Sequence, residues 1–369
     1  MSSLPRYETL KLRQPKPHVT LVELNRPTKL NAMNLQLFDE LKTCFEQLNI
    51  EKECRVIVLA GSGRAFSTGI DIEYLSTAAA ESVEIDDIAR KALHVRSMIE
   101  RTQESLRAVD KCEKPVIAAI HGYCIGAGVD LAACCDIRYS ARDTTFSIKE
   151  VDIGLAADVG TLQILPKLIT NHSLFHELVF TSRTFDTNEA QQIGLISHVF
   201  DTREALLNGA ISLASVIAHK SPIAVQGSKI NLNYARDHTV DDNFTFVRTW
   251  NSAMLLSEDI VKGLMATSVS KEKKTNLAHY TANKHIIVTT FLSTSKNTSV
   301  AHGYSGYDVD SQNLNRTELG ELSAHPDEDE VLILPYSTLL ITNITTQQLV
   351  PLGRRIEIEL EQCVDQDLP

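Results

Sequence analysis

The sequence predicts an α/β fold, and its 369 residues are enough for roughly two domains. Short runs of Val, Ile and Leu, bounded by polar residues or glycine, alternate with stretches of helical periodicity up to about residue 200. Such βα alternation is typical of α/β layers. From residue 200 the pattern is helical, and after residue 274 it changes to Thr, Ser, Asn and β-branched residues. We therefore expect one domain over residues 1–274 and a β-rich extension over residues 275–369.

The elements of the first domain follow from these patterns in order along the chain. The apolar runs predict strands at His18–Leu24, Arg55–Ala60, Pro115–His121, Asp136–Tyr139 and Leu195–Phe200. The helical periodicity predicts helices at Leu35–Leu48, Asp87–Val109, Gly126–Cys135, Val159–Ile169, Thr187–Ile193, Arg203–His219, Pro222–Arg236 and Val240–Ala266. The last three helices could form a cap or an oligomerisation surface.

Charge and cysteine usage limit the possible function classes. The net charge is −11, of which residues 275–369 carry −8 from 13 acids and 5 bases, so neither part of the chain offers a basic surface for nucleic acid. The seven cysteines show no CxxC spacing, which favours reduced thiols and an intracellular protein. No apolar run is long enough to span a membrane. We expect no targeting signal, since residues 1–12 lack an apolar segment and the chain does not end in Ser-Lys-Leu.

Three acids, Asp130, Glu150 and Asp158, lie in a stretch, residues 115–165, that otherwise consists mostly of Ala, Ile, Val, Leu, Gly and Cys. Burial raises a carboxyl pKa toward the range in which the group can both take and give a proton near neutral pH. The alternative is that these acids only cap helices or form salt bridges. We interpret the nearby Asp152 in that way. The cluster as a whole favours proton-transfer chemistry.

Two glycine-containing loops each follow a predicted strand. Residues 122–130 read GYCIGAGVD and open a helix, and residues 64–72 read RAFSTGIDI. A dinucleotide-binding turn is the weaker reading of the first loop, because Asp130-Leu131 stands where a third glycine is expected. Free backbone N–H groups at such loops can instead stabilise an oxyanion, which suits chemistry that passes through an enolate. Either loop alone could also be a simple tight turn.

With residues 24–27 (LNRP), 30–33 (LNAM) and 132–138 (AACCDIR), these loops resemble the enoyl-CoA hydratase/isomerase (crotonase) superfamily over about residues 7–274. The resemblance implies a crotonase-type ββα spiral, a C-terminal helical region that builds trimers or hexamers, and an acyl-CoA thioester as substrate. It also implies a mitochondrial or peroxisomal location. It assigns the oxyanion-binding N–H groups to Ile70 and Ala127, where Ala127 replaces the family's glycine. The implied substrate-binding residues are Gly69, Asp71, Ile72, Gly128 and Lys29.

Within that family, the stretch around Glu150 and Asp158 (FSIKEVDIGLAADVGTL) resembles the dienoyl-CoA isomerase branch. This resemblance implies β-oxidation chemistry that moves a diene from the 3,5 to the 2,4 position, without a metal or other cofactor. We expect Glu150 to exchange the C2 proton and Asp158 the C6 proton, with Asp130 as an auxiliary acid. An enoyl-CoA hydratase and a non-catalytic acyl-CoA-binding scaffold remain alternatives.

Five other polar residues are expected to be structural. Asp71 is predicted to cap a helix and Asp136 to accept a hydrogen bond at a strand end. His121 is predicted to be a core histidine, and Lys149 and Arg138 to be charge partners of nearby acids.

The extension contains two segments that resemble arginine-type mono-ADP-ribosyltransferases, residues 286–295 with Ser293 and residues 325–336 with Glu328 and Glu330. In that family the acid at Glu330 is catalytic and the one at Glu328 supports transfer to arginine. The upstream strand with the arginine that binds NAD has no counterpart here. We therefore expect a partial, inactive remnant, with an NAD-dependent transferase as the alternative.

Overall fold

The computed structural model describes residues 5–264, 339–349 and 353–362. The chain divides into two compact units, residues 1–254 and residues 255–369. The predicted boundary after residue 274 lies outside the described residues and stays a prediction. No helix of the described residues is long and apolar enough to cross a membrane.

The first unit is built on a six-stranded sheet with the order β1-β2-β3-β4-β6-β8. Only β1 and β2 pair antiparallel, and every other pair in this sheet is parallel. A second sheet consists of the parallel pair β5 and β7. The strands are β1 Leu10–Lys16, β2 Val19–Leu24, β3 Val56–Gly61, β4 Val116–Ile120, β5 Tyr123–Ile125, β6 Ile137–Ala141, β7 Thr145–Ser147 and β8 His198–Phe200.

Helices cover both faces of the main sheet, as parallel strands require. They are α1 Leu35–Ile50, α2 Ile72–Val83, α3 Ile88–Lys111, α4 Ala127–Ala133, α5 Thr161–Ile164, α6 His172–Thr181, α7 Thr187–Gln192, α8 Arg203–Ala218, α9 Pro222–Tyr234 and α10 Val240–Met254. Short 3-10 helices occur at Pro27–Lys29, Glu150–Ile153 and Leu165–Lys167. Polar side chains cap several of these helices; Asn34 begins α1 and Thr202 begins α8 in this way.

The sheet separates two apolar cores, because successive side chains of a strand point to opposite faces. One face packs on α1, α3 and α4 and contains Val22, Ile57 and Leu59. The opposite face contains Leu21 and Val58. It packs on α8 through residues spaced four apart, Leu206, Ala210, Ala214 and Ala218. This small-residue row lets α8 lie close against the strands.

The predicted strands and helices up to residue 236 are present with shifted ends, but some elements were not predicted. These are β1, β5, β7, α2 and α6. Strand β1 carries charged residues and Pro15, features that a sheet tolerates at an edge position. Two predicted helices are shorter than expected. The helix predicted at Val159–Ile169 is an α-helical turn followed by a 3-10 turn that contains Pro166. The helix predicted at Val240–Ala266 ends at Met254, and Ser257 caps a new turn through its bond to the Asp259 N–H.

In the second unit the described residues include two strands, β9 Leu339–Leu349 and β10 Gly353–Gln362, which pair antiparallel. The register shifts between Glu359 and Leu360, which indicates a β-bulge. Ser293, Glu328 and Glu330 lie outside the described residues. The resemblance of this region to ADP-ribosyltransferases therefore stays a prediction.

The turn at Gly122, between β4 and β5, yields a stability prediction. A Cβ atom on Gly122 would lie 1.9 Å from the Arg64 carbonyl oxygen, and its φ of +63° is itself unfavourable for other residues. We expect Gly122→Ala to lower the free energy of unfolding by more than about 3 kcal/mol in urea denaturation. Gly154→Ala is the matched control: φ is +81° but the space is open, so a loss of about 1 kcal/mol is expected. Equal losses would contradict the steric argument.

Candidate active site

The first loop of the site, residues 67–71, pairs with Met33 and leaves the backbone N–H of Ile70 outside that pairing. Met33 N donates to Gly69 O at 2.7 Å and Asp71 N donates to Met33 O at 3.0 Å, which forms an isolated parallel bridge between Met33 and Ile70. In such a bridge Met33 bonds to the two residues that flank Ile70, so the N–H of Ile70 points away from Met33. This donor is therefore available to a ligand.

The second loop presents a donor at the start of α4. Ala127 is the first residue of this helix, and the N–H groups of a first turn have no partner within the helix. Gly69, at φ +90°, brings the two loops together, since a Cβ there would lie 2.7 Å from Ile125 O and 3.3 Å from Ala127 N. The N–H groups of Ile70 and Ala127 thus come from two backbone segments in close contact, as an oxyanion hole requires.

Asp130, on α4, is fully buried. Its Oδ1 accepts a hydrogen bond from the Thr161 backbone N–H at the start of α5. Its Oδ2 has no hydrogen-bond partner in the described part of the chain. Burial, followed by the charge of Glu150, raises the pKa of Asp130 to about 7. An acid with such a pKa can hold a proton at neutral pH.

Glu150 begins the 3-10 helix at Glu150–Ile153 and lies against the Gly126 backbone. A Cβ on Gly126 would come within 3.3 Å of Glu150 Oε1, so the absence of a side chain there leaves space for the carboxylate. Glu150 Oε2 is buried and lacks a hydrogen-bond partner among the described residues. Burial, and then the charge of Asp158, raises the pKa of Glu150.

Asp158 follows in an irregular segment between the 3-10 helix and α5. Gly154 ends the 3-10 helix in the left-handed region, at φ +81° and ψ +21°, so no continuous helix joins Glu150 to Asp158, as the sequence predicted. Asp158 is partly buried, and burial raises the pKa of this carboxyl as well. All three predicted acids therefore have pKa values above their ordinary range.

The three acids and both loops line one cavity of about 1060 Å³. Its remaining walls are mainly apolar and come largely from α2 and α3, of which sequence reasoning had included only Ile72, at the start of α2. The apolar residues on these helices are Ile72, Tyr74, Leu75, Ala78 and Ala79 on α2 and Val95, Met98 and Ile99 on α3. The helical pattern predicted α3, but no local signal in the sequence indicated which of its residues face a ligand. The cavity combines a polar region for proton transfer with apolar walls for a hydrocarbon chain.

Of the residues predicted to bind substrate, some line the cavity and others do not. Gly69, Asp71 and Ile72 line the cavity, and Ile72 is 80% exposed. Asp71 also caps α2 and pairs with Arg26 at 2.9 Å. The residues that line the cavity do not include Gly128, whose Cα lies close to the Ser67 carbonyl. They also do not include Lys29, which lies 3.8 Å from Glu73.

The other polar residues have the structural positions expected of them, with one exception. His121 is buried with Nε2 3.1 Å from Gly63 O, and Asp136 accepts a hydrogen bond from Val116 N at 2.7 Å. Lys149 pairs with Asp152 at 2.6 Å. Arg138 differs from the prediction in its hydrogen bonds: its guanidinium donates to the backbone carbonyls of Leu195 and Cys135, both at 2.6 Å, although the charge of Asp136 also acts on it. A buried arginine can satisfy its donors with carbonyl groups exposed at helix and strand ends.

Known proteins with similar sequences include curated dienoyl-CoA isomerases. The mitochondrial Δ(3,5)-Δ(2,4)-dienoyl-CoA isomerase of Rattus norvegicus is 48% identical over 268 residues, which cover 73% of this chain and 82% of that protein. The peroxisomal Δ(3,5)-Δ(2,4)-dienoyl-CoA isomerase of Arabidopsis thaliana is 40% identical over 270 residues and is covered over 97% of its length.

Solved structures share the fold. The crystal structure of an enoyl-CoA hydratase from Bacillus anthracis superimposes with a TM-score of 0.64 at 27% identity, covering 71% of this chain and 97% of that one. The sequence profile of the Enoyl-CoA hydratase/isomerase family matches residues 15–275. This match spans well over half of the chain and includes every residue of the candidate site. The protein is therefore a member of the enoyl-CoA hydratase/isomerase family, the crotonase superfamily.

Proposed function

We propose that this protein is a dienoyl-CoA isomerase, which converts 3,5-dienoyl-CoA into 2,4-dienoyl-CoA during fatty-acid β-oxidation. The observation that carries the proposal is the third acid, Asp158, which faces the same cavity as Glu150 and Asp130. The identity of 48% to a curated isomerase, against 27% to the superimposed hydratase, supports the same conclusion. The large apolar cavity suits an elongated acyl chain.

The reaction needs a base and an acid at two separate carbon atoms. The Glu150 carboxylate takes a proton from C2, next to the thioester, and the electron pair of that C–H bond forms an enolate that is conjugated with both double bonds. The N–H groups of Ile70 and Ala127 stabilise its oxygen. The double bonds then shift toward C2 while the protonated Asp158 carboxyl delivers a proton to C6. A proton must pass from Glu150 back to Asp158 before the next turnover.

The raised pKa values suit this division of roles. Asp158 must be protonated and Glu150 ionised at the start of the cycle, and two neighbouring acids favour sharing one proton because a second negative charge beside the first is unfavourable. Asp130 and Glu150 lie close enough for their charges to interact, so a negative charge on one makes a second negative charge on the other unfavourable. We assign it the role of an auxiliary acid. The reaction as written moves only protons and electron pairs of the substrate, so we expect it to need no metal or redox cofactor.

We further propose that the protein assembles as a homotrimer or homohexamer. Helices α8 to α10 expose large apolar side chains, namely Val216, Ile223, Leu232, Val240 and Phe244. Apolar side chains clustered on successive helices favour association between subunits. A mitochondrial or peroxisomal location is proposed from the relatives, whose names place them in those two compartments.

Asp158→Asn tests the proposed function most directly. An amide cannot deliver the C6 proton, so we expect the isomerisation rate to fall at least about a hundredfold. The rate is measured from the absorbance of the conjugated product. Glu150 remains intact, so exchange of the C2 hydrogen with deuterated solvent should continue.

Asp152→Asn is the matched control, because Asp152 lies nearby, is half exposed and pairs with Lys149; its rate should stay within about threefold of wild type. Near-normal isomerisation by Asp158→Asn would contradict the proposed role. A wild-type protein that hydrates 2-enoyl-CoA rapidly and leaves 3,5-dienoyl-CoA unchanged would instead be a hydratase, and one without either activity an acyl-CoA-binding scaffold.

Asp130→Asn should change how stability depends on pH. The folded state raises the Asp130 pKa from 3.8 to about 7, so between these pH values the folded protein retains a proton that the unfolded chain has lost. Stability therefore falls as the pH rises through this window. A neutral asparagine does not titrate, so the variant does not show this fall in stability. We expect the stabilising effect of Asp130→Asn in urea denaturation to be about 1–3 kcal/mol larger at pH 8 than at pH 5. An effect independent of pH would contradict a raised pKa.

Phe244→Glu tests the proposed assembly, since Phe244 is 61% exposed on α10. We expect light scattering to give the mass of a trimer or hexamer for the wild type and a smaller species for this variant. A charge in an apolar interface is strongly unfavourable. Ile50→Glu is the control, because Ile50 is 80% exposed at the end of α1, and it should leave the mass unchanged. A monomeric wild type would overturn the proposal.

A further inference from the structure

The two acids of the proposed reaction are held in place by different means. Glu150 belongs to a 3-10 helix, and its carbonyl oxygen accepts hydrogen bonds from the N–H groups of Gly154 and Leu155. Asp158 lies in the irregular segment, residues 155–160, that precedes α5. Local backbone structure therefore fixes Glu150, whereas the position of Asp158 depends on other contacts.

Two glutamine side chains bind the carbonyl groups of this irregular segment. Gln163 Nε2 donates to Ala157 O at 3.3 Å, a local contact from α5. Gln103 Nε2 donates to Asp158 O at 2.6 Å from α3, 55 residues earlier in the chain. The second bond is shorter and connects the acid to a different wall of the cavity, since Ile99 and Thr102 of α3 also line it.

The half of α3 that carries Gln103 is firmly anchored to the rest of the unit. Leu106 and Val109 are fully buried in the core. Arg101 pairs with Asp39 and Glu104 pairs with Lys42, both at 2.5 Å, so that charged residues on each side of Gln103 bind α1. Gln103 thus lies on an anchored part of α3 and donates its hydrogen bond to the backbone of Asp158.

We infer that Gln103 is a positioning residue for the proton transfer at C6, an inference that rests on the proposed function. Its amide touches the Asp158 backbone and leaves the carboxylate free, so it sets where the acid lies rather than taking part in the transfer. A displacement of about 1 Å can cost a hundredfold in rate when a proton donor must reach one carbon atom. Loss of the bond lets the 155–160 segment move, while Glu150 and both oxyanion-binding N–H groups keep their own supports.

The test measures the two half-reactions separately in the full-length protein. Gln103→Met and Gln103→Glu both keep the length of the side chain, and both lack the amide donor at neutral pH. We expect the isomerisation kcat to fall about 10- to 100-fold. Exchange of the C2 hydrogen, measured by mass spectrometry of 3,5-dienoyl-CoA recovered from deuterated buffer, should stay within about threefold of wild type. Purely structural damage would lower both rates together.

Gln163→Met is the matched control, because it removes the weaker, local contact to the neighbouring carbonyl; a fall of less than about threefold is expected for both rates. Thermal unfolding of each variant shows whether it is folded, and Gln103→Glu replaces Gln103→Met if the latter is not. Parallel loss of both rates, or no loss of isomerisation, in a folded Gln103 variant would overturn the inference. A wild-type protein that does not isomerise the diene would instead refute the proposed function.

Discussion

The close contact between residues 67–71 and residues 123–127 is the constraint on which the site depends. Ser67 N donates to Tyr123 O and Ile125 N donates to Ser67 O, both at 3.0 Å, so the two loops pair like short strands. Gly69 has no side chain that would hold them apart. This contact brings Ile70 and Ala127 together in the lining of one cavity. It also places α4, and with it Asp130, beside the Glu150 carboxylate.

A cost in stability accompanies this arrangement. Asp130 and Glu150 each bury an oxygen that has no hydrogen-bond partner among the described residues, and buried polar groups of this kind are unfavourable. The main sheet and the two apolar cores on its faces offset that cost. The proposed reaction uses the same property, because acids that are costly to ionise can hold and release protons near neutral pH.

Much of the fold and the acids of the site could be predicted from the sequence, for physical reasons. Parallel strands are buried on both faces and appear as apolar runs, so β3 and β4 were evident. Asp130, Glu150 and Asp158 stood out as acids among apolar residues. Apart from Ile72, the contributions of α2 and α3 could not be predicted, because which face of a helix borders a cavity depends on tertiary packing. The bond from Gln103 to Asp158 O likewise joins distant segments, and the partners of Arg138 are backbone carbonyls that no residue type reveals.

The separation of the two cores by the sheet has an evolutionary consequence. Ala127, Val129 and the partly buried Val159 pack in the core on the α1 and α3 face, whereas α8 packs in the core on the opposite face. Substitutions on the outer surface of α8 can therefore alter that surface, and with it the proposed association of subunits, without repacking the residues around the acids. Within one fold, the proposed subunit contacts and the proposed reaction become two traits that selection can adjust separately.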